Sequence, residues 1–77
     1  MILENPKLLG NKIRTIRQIK GISQEAIAIK LLISQPAYSK IESGKIILTP
    51  DRFQIILEEL GVTELAFRNF DLNTILI

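Results

Sequence analysis

Within residues 22–53, a hydroxyl residue with one apolar residue directly before it and another four positions after it occurs three times. The three sets are Ile22, Ser23 and Ile27; Ile33, Ser34 and Tyr38; and Leu48, Thr49 and Phe53. A Ser or Thr side chain caps a helix by accepting a backbone hydrogen bond in the first turn, and the two apolar residues close over that turn as a hydrophobic staple. The pattern predicts three helix starts and restricts the chain to a mainly helical fold.

The apolar spacing adds a helix before these three starts and gives each helix one inward face. The first helix is predicted from about Leu8 to Lys20, where Gly21 ends it, and Thr63 is expected to cap a short turn through Phe67. The inward positions are Leu9, Ile13, Ile16, Ile27, Ala28, Leu31, Tyr38, Ile41, Phe53, Ile56, Leu57 and Leu60. We therefore expect an all-α bundle of four to five helices.

Length and composition exclude several classes of function. The 77 residues predict a single domain over residues 1–77, with a bundle at 8–62 and a C-terminal tail at 63–77. There is no Cys and no His, and the carboxylates stand singly, so neither a metal site, a cofactor nor an enzyme is expected. No charged-then-apolar leader and no apolar run of roughly 20 residues occurs, so a cytoplasmic protein without a membrane partner is predicted.

Charge is distributed unevenly along the chain. Residues 1–49 hold eight Lys or Arg against three acids, whereas residues 50–77 hold two Arg against five acids. A basic first part indicates a surface that can approach phosphate, provided that its cations share a face. The alternative is an ordinary solvated surface.

The second and third predicted helices are separated by only a short turn. Residues 23–45 therefore form two short capped helices with a tight connection, and Gly44 follows the second of them. This is a helix-turn-helix, in which the second helix can lie in the DNA major groove. The expected partner is double-stranded DNA.

Ordered matches over residues 8–62 carry a resemblance to a known family. The matching residues are Ile13, Arg14 and Arg17; Gly21 to Glu25 and Ala28; Ile33 to Gln35; Tyr38 to Glu42; Gly44 and Lys45; and Leu60 to Val62. The chain resembles the phage-repressor and Cro-like helix-turn-helix family, the XRE type. The resemblance implies a compact lambda-repressor-like domain that binds DNA.

Four residues on the outer side of the third helix are the candidates for reading DNA sequence: Gln35, Pro36, Ser39 and Lys40. A glutamine amide pairs with adenine N7 and N6, and a lysine donates to guanine or to a phosphate. Pro36 can meet a thymine methyl group, although it can equally serve only to start the helix. For Gln35 the alternative is helix capping or solvation.

Other positions are expected to hold the backbone of the duplex or the fold. Gln24 matches a family position that contacts phosphate beside helix amides, and Lys45 is the second candidate for such a contact. The resemblance also implies a structural ion pair between Arg17 and Glu42, whose alternative is two exposed charges. The remaining cations Lys12, Lys20 and Lys30 are expected to keep the surface soluble.

Two residues depart from the family pattern in and after the turn. Leu32 stands where glycine is common, so it either accepts a strained left-handed conformation or the turn takes another shape. Pro36 restricts Gln35 toward extended geometry, which predicts a helix start delayed by one residue.

The tail is unusually apolar for the end of a small domain. We expect Phe67, Phe70, Leu72 and Ile75 to form a homodimer interface, with folding back onto the same monomer as the alternative. A homodimeric repressor on a palindromic operator is the leading hypothesis. The second hypothesis is an antitoxin that uses the apolar tail to bind a toxin partner as well as binding DNA.

Overall fold

The computed structural model describes residues 5–70, which form five helices and no strand. The helices are α1 (Pro6–Ile19), α2 (Gln24–Leu31), α3 (Gln35–Glu42), α4 (Pro50–Leu60) and α5 (Glu64–Asn69). The predicted all-α class is confirmed. Among these helices, none has the length and apolar character needed to cross a bilayer.

The capping residues set the helix starts. Ser23, Ser34, Thr49 and Thr63 each accept a hydrogen bond from the backbone N–H three residues later, at 3.0, 3.2, 3.4 and 3.0 Å. The first helix starts earlier than predicted, because the Asn5 side chain accepts from the N–H of Lys7 at 2.8 Å and Pro6 occupies the first turn. The expected delay at Pro36 is wrong, since α3 begins at Gln35 with the proline in its first turn.

Leu32 ends α2 in the left-handed conformation, with φ 59° and ψ 38°. It is the single non-glycine residue with positive φ within residues 5–70, and 92% of its surface is exposed. The first of the two alternatives for the turn is therefore the observed one: the leucine accepts the strained conformation. Because the side chain is exposed, little apolar burial offsets this strain.

We expect Leu32→Gly to raise the free energy of unfolding by about 1 kcal/mol, because glycine adopts the left-handed region without steric strain. Chemical denaturation measures this difference. Leu32→Ala is the matched control, since it removes the exposed side chain and keeps the Cβ atom that causes the strain. An equal gain in both variants would show that the exposed side chain, and not the backbone, is responsible.

A single apolar core joins the five helices. Its central side chains are Ile13, Ile27, Tyr38, Ile41, Ile56, Leu57, Leu60 and Phe67. α3 packs against α1 and α2, and α2 packs against α4. This arrangement holds α3 from one side and leaves its other side to solvent.

α5 closes the core, and it changes two of our expectations. Phe67 is 1% exposed and meets the Phe53 ring edge-on, with centroids 5.1 Å apart, so its assignment to a dimer interface is corrected: it serves the core of its own chain. Lys12, expected on the surface, is 6% exposed, and its Nζ lies 4.7 Å from the centroid of the Phe67 ring. Phe70 is half-buried against the core, and Leu72 and Ile75 lie outside the described residues.

α1 and α3 cross closely at Gly10. A Cβ atom added at this glycine would lie 2.1 Å from the backbone carbonyl oxygen of Glu42. Real Cβ atoms never approach a backbone oxygen so closely, so only glycine fits the crossing without a shift of one helix. This contact brings the end of α3 against α1, where the polar residues described next meet.

Candidate DNA-binding surface

α3 has one buried and one exposed side. Tyr38 and Ile41 are buried in the core, whereas Gln35, Pro36 and Lys40 are exposed. Ser39 and Ala37 are half-buried at the boundary. The exposed side begins at the N-terminus of the helix, which is the end that contacts bases in helix-turn-helix proteins.

Arg17 and Glu42 form a buried ion pair between α1 and the end of α3. The Nε of Arg17 donates to Oε2 of Glu42 at 2.6 Å, and a terminal guanidinium nitrogen donates to Oε1 at 3.2 Å. The other terminal nitrogen donates to the carbonyl oxygen of Ile22 at 2.9 Å. Because the Glu42 side chain is fully buried and the Arg17 side chain is 10% exposed, two paired charges are held away from water.

Two further side chains donate to the same carboxylate. The Nε2 of Gln24 lies 2.9 Å from Oε1 of Glu42, and the Nε of Arg14 lies 3.4 Å from that oxygen. Gln24 in turn accepts at Oε1 from the Nε2 of Gln35, at 2.6 Å. A continuous chain of hydrogen bonds therefore leads from the buried pair to the exposed start of α3. We call Arg17, Glu42, Gln24 and Gln35 the carboxylate–glutamine chain.

The carboxylate is held in its charged form. Burial by itself would raise the pKa of Glu42, but the hydrogen bond and positive charge of Arg17, with the hydrogen bond from Gln24, outweigh burial and lower this pKa below its ordinary value. Tyr38 lies buried beside the pair, and burial together with the Glu42 carboxylate raises the pKa of its hydroxyl. Glu42 therefore acts as a charged acceptor near neutral pH.

The lowered pKa of Glu42 predicts a dependence of stability on pH. A carboxyl whose pKa is lower in the folded than in the unfolded chain stabilises the fold fully above its ordinary value of 4.5, and this contribution is lost as pH falls through the folded-state pKa. We expect that, as the pH falls below 4.5, the free energy of unfolding decreases more steeply in the wild type than in Glu42→Gln. Denaturant titrations over an acidic pH series measure both slopes, and parallel slopes would contradict the assignment.

Lys45 lies just beyond α3, in the turn that follows Gly44. Its backbone N–H donates to the carbonyl oxygen of Lys40 at 2.9 Å, and its side chain is exposed. Gly44 has φ 78°, and a Cβ atom there would lie 2.8 Å from the Cα of Lys7. The turn is thus held against the start of α1, which fixes the backbone of Lys45 directly after α3.

Of the residues predicted to bind DNA, the structure places two in direct contact and the others along or just after α3. Gln24 and Gln35 are in direct contact, while Pro36, Ser39 and Lys40 follow along α3 and Lys45 comes after it. The hydrogen bonds from Gln24 and from Arg14 to Glu42 were not predicted from the sequence. No spacing rule signals these contacts, because the residues come from three different helices.

Fold and surface together define a helix-turn-helix DNA-binding domain. The helix-turn-helix family model matches residues 13–67, and the chain belongs to this family, of the XRE type. Its class is therefore that of non-enzymatic DNA-binding proteins.

A solved structure with the same fold is the Clp gene regulator ClgR from C. glutamicum. The two chains superpose with a TM-score of 0.76 at 19% sequence identity, and the similarity covers 87% of each chain. At this identity the likeness establishes the fold alone. No curated protein sequence matches the chain significantly.

Proposed function

We propose that this protein is a sequence-specific transcriptional repressor that binds a palindromic operator as a homodimer in the cytoplasm. The observation that carries the proposal is the geometry of α3, whose inner side is fixed in the core while Gln35, Pro36 and Lys40 face solvent from its first turns onward. A helix held in this way can enter the major groove with few changes in its own conformation. Membership of the helix-turn-helix family supports the same function.

Each exposed residue of α3 has a chemical role in this proposal. Gln35 reads adenine through its amide, and Lys40 donates to guanine or to a neighbouring phosphate. Pro36 contacts a thymine methyl group, and Ser39 adds a hydroxyl at the edge of the groove. These contacts supply sequence discrimination.

Gln24 and Lys45 hold the duplex backbone. Gln24 is the first residue of α2, where free backbone N–H groups attract a phosphate, and one of its two amide hydrogens remains for that contact after the bond to Glu42. Lys45 supplies a positive charge at the far end of α3. Such contacts fix the register of the protein and weaken with added salt.

The homodimer is proposed on the apolar residues that follow α5. Phe70 is half-buried at the end of the described chain, and Leu72 and Ile75 follow it in the sequence. A two-fold dimer would set two α3 helices about 34 Å apart, one helical turn of DNA. Deleting residues 71–77 should lower both the dimer fraction in light scattering and the operator affinity, and unchanged values for both would reject this interface.

Selection from a randomised double-stranded DNA pool tests the proposed function. We expect enrichment of one palindromic sequence by the wild type, and affinity for it that falls steeply as salt rises. A variant with Gln35 and Lys40 both changed to alanine should enrich no sequence while keeping its helical circular dichroism spectrum. Enrichment of the same sequence by this variant would contradict the role of α3.

An antitoxin that binds both DNA and a toxin partner is the second candidate. It is favoured by large apolar side chains on the described surface, since Ile29, Ile47 and Leu65 are 65%, 77% and 69% exposed. Co-expression with the product of the adjacent gene separates the two functions. A stoichiometric complex supports the antitoxin, and independent purification of the two proteins supports the stand-alone repressor.

A further inference from the structure

We infer that the buried carboxylate of Glu42 decides which base Gln35 reads, by fixing the orientation of the Gln35 amide through Gln24. The inference rests on the proposed function, since it concerns the selectivity of the same surface. Glu42 and Gln24 are positioning residues in it, and Gln35 is the residue that meets the base.

The orientation of the two amides starts from Glu42, which can only accept hydrogen bonds. An ionised carboxylate only accepts hydrogen bonds, and this one is fully buried with Arg17 donating to both of its oxygens. A glutamine amide placed against it has to present its nitrogen. The Nε2 of Gln24 lies 2.9 Å from Oε1 of Glu42, so the orientation of the Gln24 amide is set by charge.

The second step passes this orientation to α3. With its nitrogen turned to Glu42, Gln24 presents its carbonyl oxygen on the other side, and Gln35 has to offer a donor there. The observed contact is Nε2 of Gln35 to Oε1 of Gln24, at 2.6 Å. Both glutamine amides are therefore aligned in one direction, starting from the carboxylate.

The third step gives the selectivity. After the bond to Gln24, the Gln35 amide retains one N–H and its carbonyl oxygen for the duplex, which is one donor and one acceptor. Adenine presents the complementary pair, an N7 acceptor and an N6 donor, in the major groove. The opposite amide orientation would leave two N–H donors, which match the O6 and N7 acceptors of guanine. The carboxylate thus selects adenine over guanine at this position.

The test uses two duplexes that differ in one base pair. One is the sequence that the wild type selects from the randomised pool, and the other carries G·C in place of A·T at the pair whose discrimination is lost in Gln35→Ala. We expect the wild type to prefer the adenine duplex by about tenfold or more, the range of one bidentate base contact. A selected sequence without adenine at that pair would overturn the inference.

Two variants interrupt the chain at different points. In Glu42→Gln, Arg17 claims the single amide oxygen and the nitrogen faces Gln24, so both glutamines are expected to reverse and the preference for adenine to fall about tenfold. In Gln24→Ala the carboxylate–glutamine chain loses its middle member, and the preference is expected to fall toward equal binding of the two duplexes. Loss of a phosphate contact by Gln24 would lower both affinities equally and leave their ratio unchanged.

Ile56→Val is the matched control. This substitution at a buried position on α4 is expected to reduce stability without altering any member of the carboxylate–glutamine chain. It should retain the wild-type ratio. If Glu42→Gln fails to fold by circular dichroism, Gln24→Ala alone decides. A wild-type ratio in Gln24→Ala overturns the inference and leaves the repressor proposal intact, whereas a wild type that enriches no sequence removes both.

Discussion

Glu42→Ala is expected to lower the free energy of unfolding by about 3–5 kcal/mol, the range found when one partner of a buried ion pair is removed. The carboxylate accepts from Arg17 at 2.6 and 3.2 Å and also from Gln24 and Arg14. Without it, the Arg17 guanidinium stays buried with no negative partner. The stranded charge, more than the lost attraction, accounts for the size of the effect.

Denaturant titration measures this loss, and the chain offers a matched control. Glu64 and Arg68 form an ion pair at 2.7 Å on the surface of α5, with both side chains about half exposed. Glu64→Ala should lower stability by at most about 0.5 kcal/mol, because water screens exposed pairs between neighbouring helical turns. Losses of equal size in the two variants would contradict the buried role of Glu42.

Gly10→Ala is expected to destabilise the fold by about 3 kcal/mol, although the same change in an open helix stabilises. The added methyl group would lie 2.1 Å from the carbonyl oxygen and 2.6 Å from the carbonyl carbon of Glu42. Both atoms belong to the backbone of α3, so a whole helix has to move. The shift would also displace the exposed side of α3, and DNA affinity is expected to fall with stability.

Gly21→Ala separates the clash from ordinary glycine effects. This glycine has φ 70° with no atom within 4 Å of its added Cβ, so only backbone strain of about 1 kcal/mol is expected. Thermal or denaturant unfolding of the two variants gives the comparison. A smaller loss at Gly10 than at Gly21 would show that the helices separate easily, against the close crossing described above.

Much of the fold could be predicted because its signals are local. A Ser or Thr cap with its staple lies within six residues, and the starts of α2, α3 and α4 occur where these patterns placed them. The pattern recurs at Val62, Thr63 and Phe67, and the structure shows Val62 half-buried and Phe67 in the core. This fourth staple places its second apolar residue, Phe67, in the core, as the other three do with Ile27, Tyr38 and Phe53.

The carboxylate–glutamine chain could not be predicted in the same way. Its members come from α1, α2 and α3, and their contacts depend on how closely these helices cross. The burial of Lys12 has the same origin, since its ring partner Phe67 lies far away in sequence. Helix starts follow from neighbouring residues, whereas a shared carboxylate follows only from packing.

In the proposed function, the exposed side of α3 reads DNA while residues around it hold the duplex backbone. This division of roles is tested by measuring the affinities of Gln35→Ala and Lys45→Ala for the selected operator and for every single-base-pair change in it. We predict that Gln35→Ala loses discrimination at one base pair, and that Lys45→Ala weakens all sequences alike and reduces the salt slope by about 0.9. Lys20→Ala is the control: the Lys20 side chain lies near Gly61, which follows α4, and this variant should bind as the wild type does. Uniform loss of affinity in Gln35→Ala, with every preference retained, would contradict this division of roles.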